Sequence, residues 1–396
     1  MSEVTTCDIA IIGAGVEGLS IAWNLAQRSA GKIVVFERET VGSGFTAKSS
    51  GILRCHYGVP SLAAMAWRSL PVFENAAETL DADVGYHRTG YLVGVGDENV
   101  GPLKANLATQ TELGIDVQLI SPLDAAELLP AMRVDDFAAC AYEPRGGYGD
   151  GYQTAAAFGS AARRLGVTIR QGSPVAQIVP ALPGVDLVLV NGERVSAGTL
   201  VVAAGPWTDR LVAPIGIEIP LKTQREQVMI VAPGQDIPIP PVLSDLVSLQ
   251  YLRSERGTRI LAGNSDHHEA EWADPDTYAD RMEDEALEVA VEKFCHRFPA
   301  FTDPGLESTY AGCYDVTPDY NPVISRTEVE GVIVCTGFSG HGYKISPAVG
   351  TLVADLVLDG TSSDPDIPER DFRLERFAEG DLLVSPNPYA GAEQMR

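Results

Sequence analysis

An apolar run at 9–12 stops at Gly13-Ala14-Gly15-Val16-Glu17-Gly18, a helical stripe follows, and a second apolar run at 34–36 ends on Glu37-Arg38. No other stretch constrains the fold so strongly, because each part has its own physical task. The first run reads as a buried strand and Gly13 as the tight turn leaving it. Gly15 lets a pyrophosphate approach the backbone, and Gly18 lets helix and strand pack closely. Leu19, Ala22, Trp23 and Ala26 recur at helical spacing, so the helix buries one stripe and points its positive end at phosphate. Glu37, about twenty residues after the last glycine, can accept ribose hydroxyls. An acid there disfavours a 2′-phosphate, so the dinucleotide is FAD or NAD rather than NADP.

The 396 residues suffice for two domains or one interwoven pair, and a hydrophobic content of 45% supports full cores. With 29 basic against 54 acidic residues the net charge is −25, which repels nucleic acid and anionic membranes. Much of the acidic excess lies at 266–292, which reads as a solvated helical face. The first residues carry no positive region, and the apolar run after them is only a few residues long, so neither a secretory signal nor a membrane span is expected. A cytoplasmic protein is expected. Cys7, Cys55, Cys140, Cys295, Cys313 and Cys335 show no CxxC spacing and read as reduced core thiols. His267-His268-Glu269 sits in the acidic run and is read as solvated; no metal is assigned.

Repeats are absent, and the proline-rich stretch 233–241 is short enough to be an ordered loop. Strand-and-glycine signals recur at 200–207, with Ala204, Gly205 and Trp207, and at 331–338, followed by Ser339-Gly340-His341-Gly342. Ser346-Pro347 reads as N-cap and first-turn proline of a helix bearing Val349, Leu352, Val353, Leu356 and Val357. One nucleotide domain is therefore expected from three segments, 1–85, 146–218 and 322–375. Runs at 86–95, 221–231 and 249–261 read as strands, and 103–113 and 285–294 as helices. They imply a second domain, 86–145 and 219–321, on a mainly antiparallel sheet roofing the first, with 376–396 as a tail. The fold class is α/β, α+β overall: a Rossmann-like domain interleaved with a substrate domain, the substrate lying between them.

Ser50-Gly51-Ile52-Leu53-Arg54 with Tyr57-Gly58, Ala203-Ala204-Gly205-Pro206-Trp207, Tyr314-Asp315-Val316-Thr317-Pro318-Asp319 and Gly337-Phe338-Ser339-Gly340-His341-Gly342-Tyr343-Lys344 carry a resemblance over nearly the whole chain. The sequence resembles the FAD-dependent amine oxidoreductases of the D-amino-acid oxidase superfamily, in the sarcosine oxidase and dimethylglycine dehydrogenase branch. That likeness implies FAD over NAD. It implies that Arg54 grips a substrate carboxylate with Lys344 assisting, that His341 lies beside the flavin, and that Tyr57 is near the pocket. It further implies FAD contacts from Gly13, Ala14, Gly15, Val16, Glu17, Gly18, Glu37 and Arg38, from 42–44 including Gly44, and from Lys48, Ser49, Ser50 and Gly51. Val175, Ala204, Gly205, Trp207, Gly337, Gly340, His341, Gly342, Tyr343 and Lys344 complete the implied set.

Departures from the family pattern matter as well. Gly312 stands where monomeric sarcosine oxidases bond a cysteine to flavin, Cys313 is one residue out of register, and Lys48 stands where dimethylglycine dehydrogenases use a histidine. Non-covalent FAD is expected, with Cys313 and His56 as outside candidates for attachment. The oxygen-activating lysine of monomeric sarcosine oxidases aligns near Leu261, two residues from Arg259, so O2 or another acceptor takes the electrons. The implied reaction passes a hydride from an amine carbon to flavin N5, and the imine then hydrolyses. A secondary or tertiary, N-methyl or cyclic amino acid is the expected substrate. A D-amino-acid or glycine oxidase, an NAD-dependent dehydrogenase, and one flavin-bearing or scaffold subunit of a hetero-oligomer are the alternatives; a homo-oligomer is also open.

Overall fold

The computed structural model describes residues 5–392 except 236, 267, 269, 302 and 303. At its centre the strand Thr5–Ile12 pairs in parallel with Ile33–Phe36 on one side and Arg194–Val202 on the other. Parallel strands Val332–Thr336 and Thr168–Arg170 extend the sheet, and Val323–Arg326 adds an antiparallel edge. Such strands are covered on both faces, which is why the central runs are apolar without alternation. One face carries the helices Val16–Gln27, Gly151–Arg164 and Gly342–Leu358, packed through Leu19, Leu25, Phe158 and Leu352. The other is closed by the hairpin Val175–Pro180 and Val185–Leu189 through Ile178 and Leu187.

A second eight-stranded sheet stands over the carboxyl ends of these parallel strands, where the glycine turns emerge. Its order begins Gly305–Val316, Lys222–Ala232, Arg259–Asn264, Gln250–Glu255 and continues to Val242–Asp245, Tyr91–Val95, Ala139–Glu143 and Gln118–Ile120. Only the pairing of Tyr91–Val95 with Val242–Asp245 is parallel. The chain is thus α/β with mixed sheets.

Several local expectations need correction. The last large helix begins at Gly342, not at Ser346, and Pro347 lies inside it. Pro347 has no N–H for the Tyr343 carbonyl, and the Ser346 hydroxyl donates to that oxygen instead, at 2.9 Å. The serine and proline therefore repair a helix rather than start one. The run 249–261 is a hairpin of two strands turned at Gly257, and 86–95 is a strand only over Tyr91–Val95. Helix Val100–Glu112 covers the stretch read at 103–113 up to its last residue, and Asp284–Arg297 contains 285–294. Of the six unpaired cysteines, Cys295 is exposed, not a core thiol. His267 and Glu269 lie outside the described residues, and His268 is exposed. Among the described residues no helix is long and apolar enough to cross a membrane, and no acid, histidine and cysteine cluster could hold a metal ion.

Candidate active site

A cavity of about 680 Å³ runs between the two sheets, from the first glycine turn to the turn before Gly342–Leu358. At the nucleotide end, Gly13 adopts φ +106°, and a Cβ there would lie 2.3 Å from the Ala203 carbonyl oxygen. A Cβ on Gly18 would lie 2.1 Å from the Gly13 carbonyl oxygen. The turn is therefore pressed against backbone on both sides, leaving its outer face bare for phosphate. Ala14 N–H and Glu39 N–H each donate to Glu37 at 2.8 Å, bracing that carboxylate at the strand end with lone pairs left for a ribose. Thr46 Oγ1 accepts from Val16 N–H at 3.2 Å and ties the 42–48 loop to the helix start.

The acidic run proves to be more than a solvated face: only Asp284–Arg297 is helical, and the segment before it crosses the groove. Asp276 accepts from Arg38 (3.1 Å), Trp207 Nε1 (2.9 Å) and Arg210 (3.0 Å), while Asp274 pairs with Arg210 at 2.9 Å. Arg38 lies over the Trp207 ring at 3.9 Å, Phe45 stacks on that ring at 5.3 Å, and Lys48 bonds Tyr278. Pro275, Asp276 and Tyr278 thereby line the cavity. Sequence spacing had no means of matching these residues to arginines so far away in the chain.

At the other end two cations converge. Arg54 follows the short strand Ile52–Leu53, paired with Gly147–Tyr148, and is 8% exposed; Lys344 in the first turn of its helix is 7% exposed. Arg54 lies over the Tyr57 ring at 4.2 Å and donates to the His56 carbonyl, and Lys344 Nζ is 3.5 Å from the Gly340 carbonyl. Among the described residues neither forms an ion pair with an acid. Burial pushes the Lys344 ammonium well below the usual lysine range, and Arg54 adds repulsion. The two buried basic side chains form an anion hole that a carboxylate relieves. His341 meets Tyr57 edge-on at 5.3 Å, and Tyr251, Tyr314 and Glu226 form part of the opposite wall.

Most residues expected from sequence line this one cavity. Ala14, Gly18, Tyr57 and Gly337 do not, and act from behind it. Ala14 orients Glu37, Gly18 permits the close approach, Tyr57 supports Arg54 and His341, and Gly337 N–H donates to the buried Asp315 at 2.7 Å. Leu261 is buried elsewhere and Arg259 bonds Glu307, so that strand sends no cation into the cavity.

Glu143, unnoticed in the sequence, accepts from Cys55 N–H at 2.8 Å and holds the turn that carries Arg54. Burial pushes its carboxyl up from 4.5 to about 7, against the opposing pull of backbone N–H groups and Arg54. The folded protein then keeps a proton that the unfolded chain has lost between pH 4.5 and about 7, so stability falls as pH rises through that window and levels off above it. The expected difference is about 3 kcal/mol. Unfolding curves of Glu143→Gln across the same window should lack this slope relative to wild type; identical slopes would show that Glu143 titrates normally.

The cavity fits FAD on three observations: the bare glycine cradle, the braced Glu37, and Glu17. Both Glu17 carboxyl oxygens are buried without a hydrogen-bond partner, and burial with Asp315 nearby pushes the group well above the usual carboxylate range. A neutral acid offers a donor to a flavin nucleotide rather than repulsion. Gly13, Gly15, Glu37 and the 42–44 loop would hold the nucleotide, and Gly340, Gly342 and Lys344 would border the ring. Cys313 is a poor candidate for attachment, because burial pushes its thiol up to about 12, and His56 is buried against Tyr389. FAD is accordingly held without a covalent bond.

The chain is similar to FAD-dependent oxidoreductase domain-containing protein 1 of Xenopus laevis, 28% identical with 96% of this chain and 84% of the relative covered. It is also similar to sarcosine oxidase subunit beta of Arthrobacter sp, 24% identical with 95% and 92% covered. Among solved structures it resembles L-proline dehydrogenase from P. horikoshii, with a TM-score of 0.87, 27% identity, and 96% of this chain and 100% of that one covered. The profile of the FAD dependent oxidoreductase (DAO) family matches residues 8–356, and with the cradle, the braced acid and the anion hole already in place, the chain belongs to that family.

Proposed function

We propose that this protein oxidises a small amino acid at a carbon bonded to nitrogen, and that the nitrogen is a secondary or tertiary amine, N-methyl or cyclic. The observation that supports this reading is the pair of buried basic side chains, Arg54 and Lys344, neither of which forms an ion pair with an acid among the described residues. A substrate carboxylate would be taken by the Arg54 fork and the Lys344 point charge. Bound FAD supplies the hydride acceptor. The chain's own part is to fix the carboxylate, keep the amine neutral through nearby positive charge, and exclude bulk water. The substrate carbon loses a hydride and the amine lone pair forms the imine; water then adds, giving a carbonyl compound and the remaining amine. No protein base is needed in this scheme.

Residues 1–85, 146–218 and 322–375 are proposed as the FAD domain, and 86–145 with 219–321 as the substrate domain. A cytoplasmic setting fits six cysteines without a disulfide. A relative named as a subunit beta supports a second reading, one chain of a hetero-oligomer that passes electrons to a partner instead of O2.

An anaerobic screen of N-methyl, cyclic and D-amino acids tests the proposal. Expected is bleaching of the yellow flavin band by an N-alkyl or cyclic amino acid; bleaching only by primary amines with ammonia release would favour a glycine or D-amino-acid oxidase. Air is then admitted. Rapid return of colour identifies O2 as acceptor, and its absence points to a partner. No bleaching by any amino acid would sink the proposal.

A further inference from the structure

The residues read from sequence as a tail are tied into the site. Leu383 N–H donates to Asp319 at 3.0 Å and its carbonyl accepts from Asn321 at 2.6 Å. Further on, the Asn387 carbonyl accepts from Asn106 at 3.1 Å. Ala390 and the buried Asn99 side chain exchange two hydrogen bonds, at 2.8 and 3.1 Å. A polar backbone bonded by buried amides is held in one position rather than resting on the surface.

Between these anchors Tyr389, 4% exposed, places its hydroxyl 2.8 Å from His56 Nε2 and stacks on that ring at 5.9 Å. His56 belongs to the turn that presents Arg54, and its carbonyl accepts from the Arg54 guanidinium. Glu143 holds the same turn through Cys55 N–H. Ala392, 2% exposed, shares an apolar cluster with Tyr91, Leu246 and Tyr389 and lines the cavity. Arg54 lies 5.8 Å from the centre of that Tyr91 ring, which puts the segment at the cation end of the cavity.

We propose that residues 383–392 are a strap that completes the substrate chamber: Tyr389 is a positioning residue that holds Arg54 through His56, and Ala392 supplies the wall that restricts substrates to small side chains. The proposal rests on the amino-acid reading above for its substrate, but its geometry can be tested without turnover.

The test uses FAD-loaded full-length protein with Tyr389→Phe, Tyr389→Ala and Ala392→Leu, alongside deletion of 385–396. Loss of one hydrogen bond in Tyr389→Phe should raise KM about three- to ten-fold, more than kcat falls. Ala392→Leu should lower kcat/KM for the bulkier of two amino acids more than for the smaller, and the deletion should reverse that preference. Amide hydrogen exchange at 54–57 should accelerate in Tyr389→Ala whether or not a substrate is known. Unchanged exchange there, or an unchanged size preference in Ala392→Leu, overturns the strap. Should wild-type protein oxidise no amino acid, the functional reading fails while the exchange measurement still decides the Tyr389 contact.

Discussion

Replacing Arg54 with alanine is expected to raise the KM for an amino acid by a hundred-fold or more while FAD stays bound. The guanidinium is buried, forms no ion pair among the described residues, and rests on the Tyr57 ring, so it is already oriented before a ligand arrives. Removing one side of a buried charge pair costs about 3–5 kcal/mol, well above the worth of an exposed contact, because the surviving charge is left desolvated. Here that survivor is the substrate carboxylate. Arg54→Lys should recover only part of the loss, since an ammonium lacks the planar fork and would stand nearer in kind to Lys344. Titration of apo protein with FAD separates the two ends of the cavity: equal FAD affinity with a large KM increase is the expected result. Wild-type kinetics in both Arg54→Ala and Lys344→Ala would remove the anion hole from the mechanism.

Gly18→Ala should yield colourless and markedly destabilised protein. The added methyl would lie 2.1 Å from the Gly13 carbonyl oxygen, and Gly13 cannot retreat because its own Cβ position is 2.3 Å from the Ala203 carbonyl oxygen. The colliding atoms are backbone in the turns that follow two adjacent strands and in a helix, so relief means displacing the helix start from the sheet. Overpacking of that kind costs about 3 kcal/mol or more. Gly101→Ala, in the helix Val100–Glu112 with nothing within 4 Å of its Cβ position, is the matched control. That change should stabilise the protein by about 0.5–1 kcal/mol. Thermal unfolding of both apo variants, with the flavin absorbance of each purified protein, checks the contrast; equal behaviour would mean that the clash is absorbed cheaply.

The first strand, glycine turn and helix were legible because their determinants are local: helical periodicity over twelve residues, a steric need for glycine, and an acid at a set distance. The motif from Gly337 to Lys344 was legible for the same reason, and both termini of the cavity follow from these two stretches. Tyr251, Asp276, Tyr278 and Tyr389 were not, because their partners lie far along the chain and nothing in the local pattern marks them. Charge runs read as solvated when the matching cations are at Arg38 and Arg210, remote in sequence. Ser346-Pro347 misled in the opposite way. Its local statistics favour a helix start, but a hydroxyl that compensates the missing N–H lets the helix pass through.

The bridge from Asp274 and Asp276 to Arg38, Trp207 and Arg210 ties the acidic segment to the nucleotide end of the cavity. Its members are nearly half exposed, at 42–48% for the charged side chains, so dissolved salt weakens it. Cofactor exchange therefore requires these contacts to part. How long the flavin resides then depends on ionic strength at contacts far from the chemistry, and a preparation made in dilute buffer will keep its colour longer than one washed in brine.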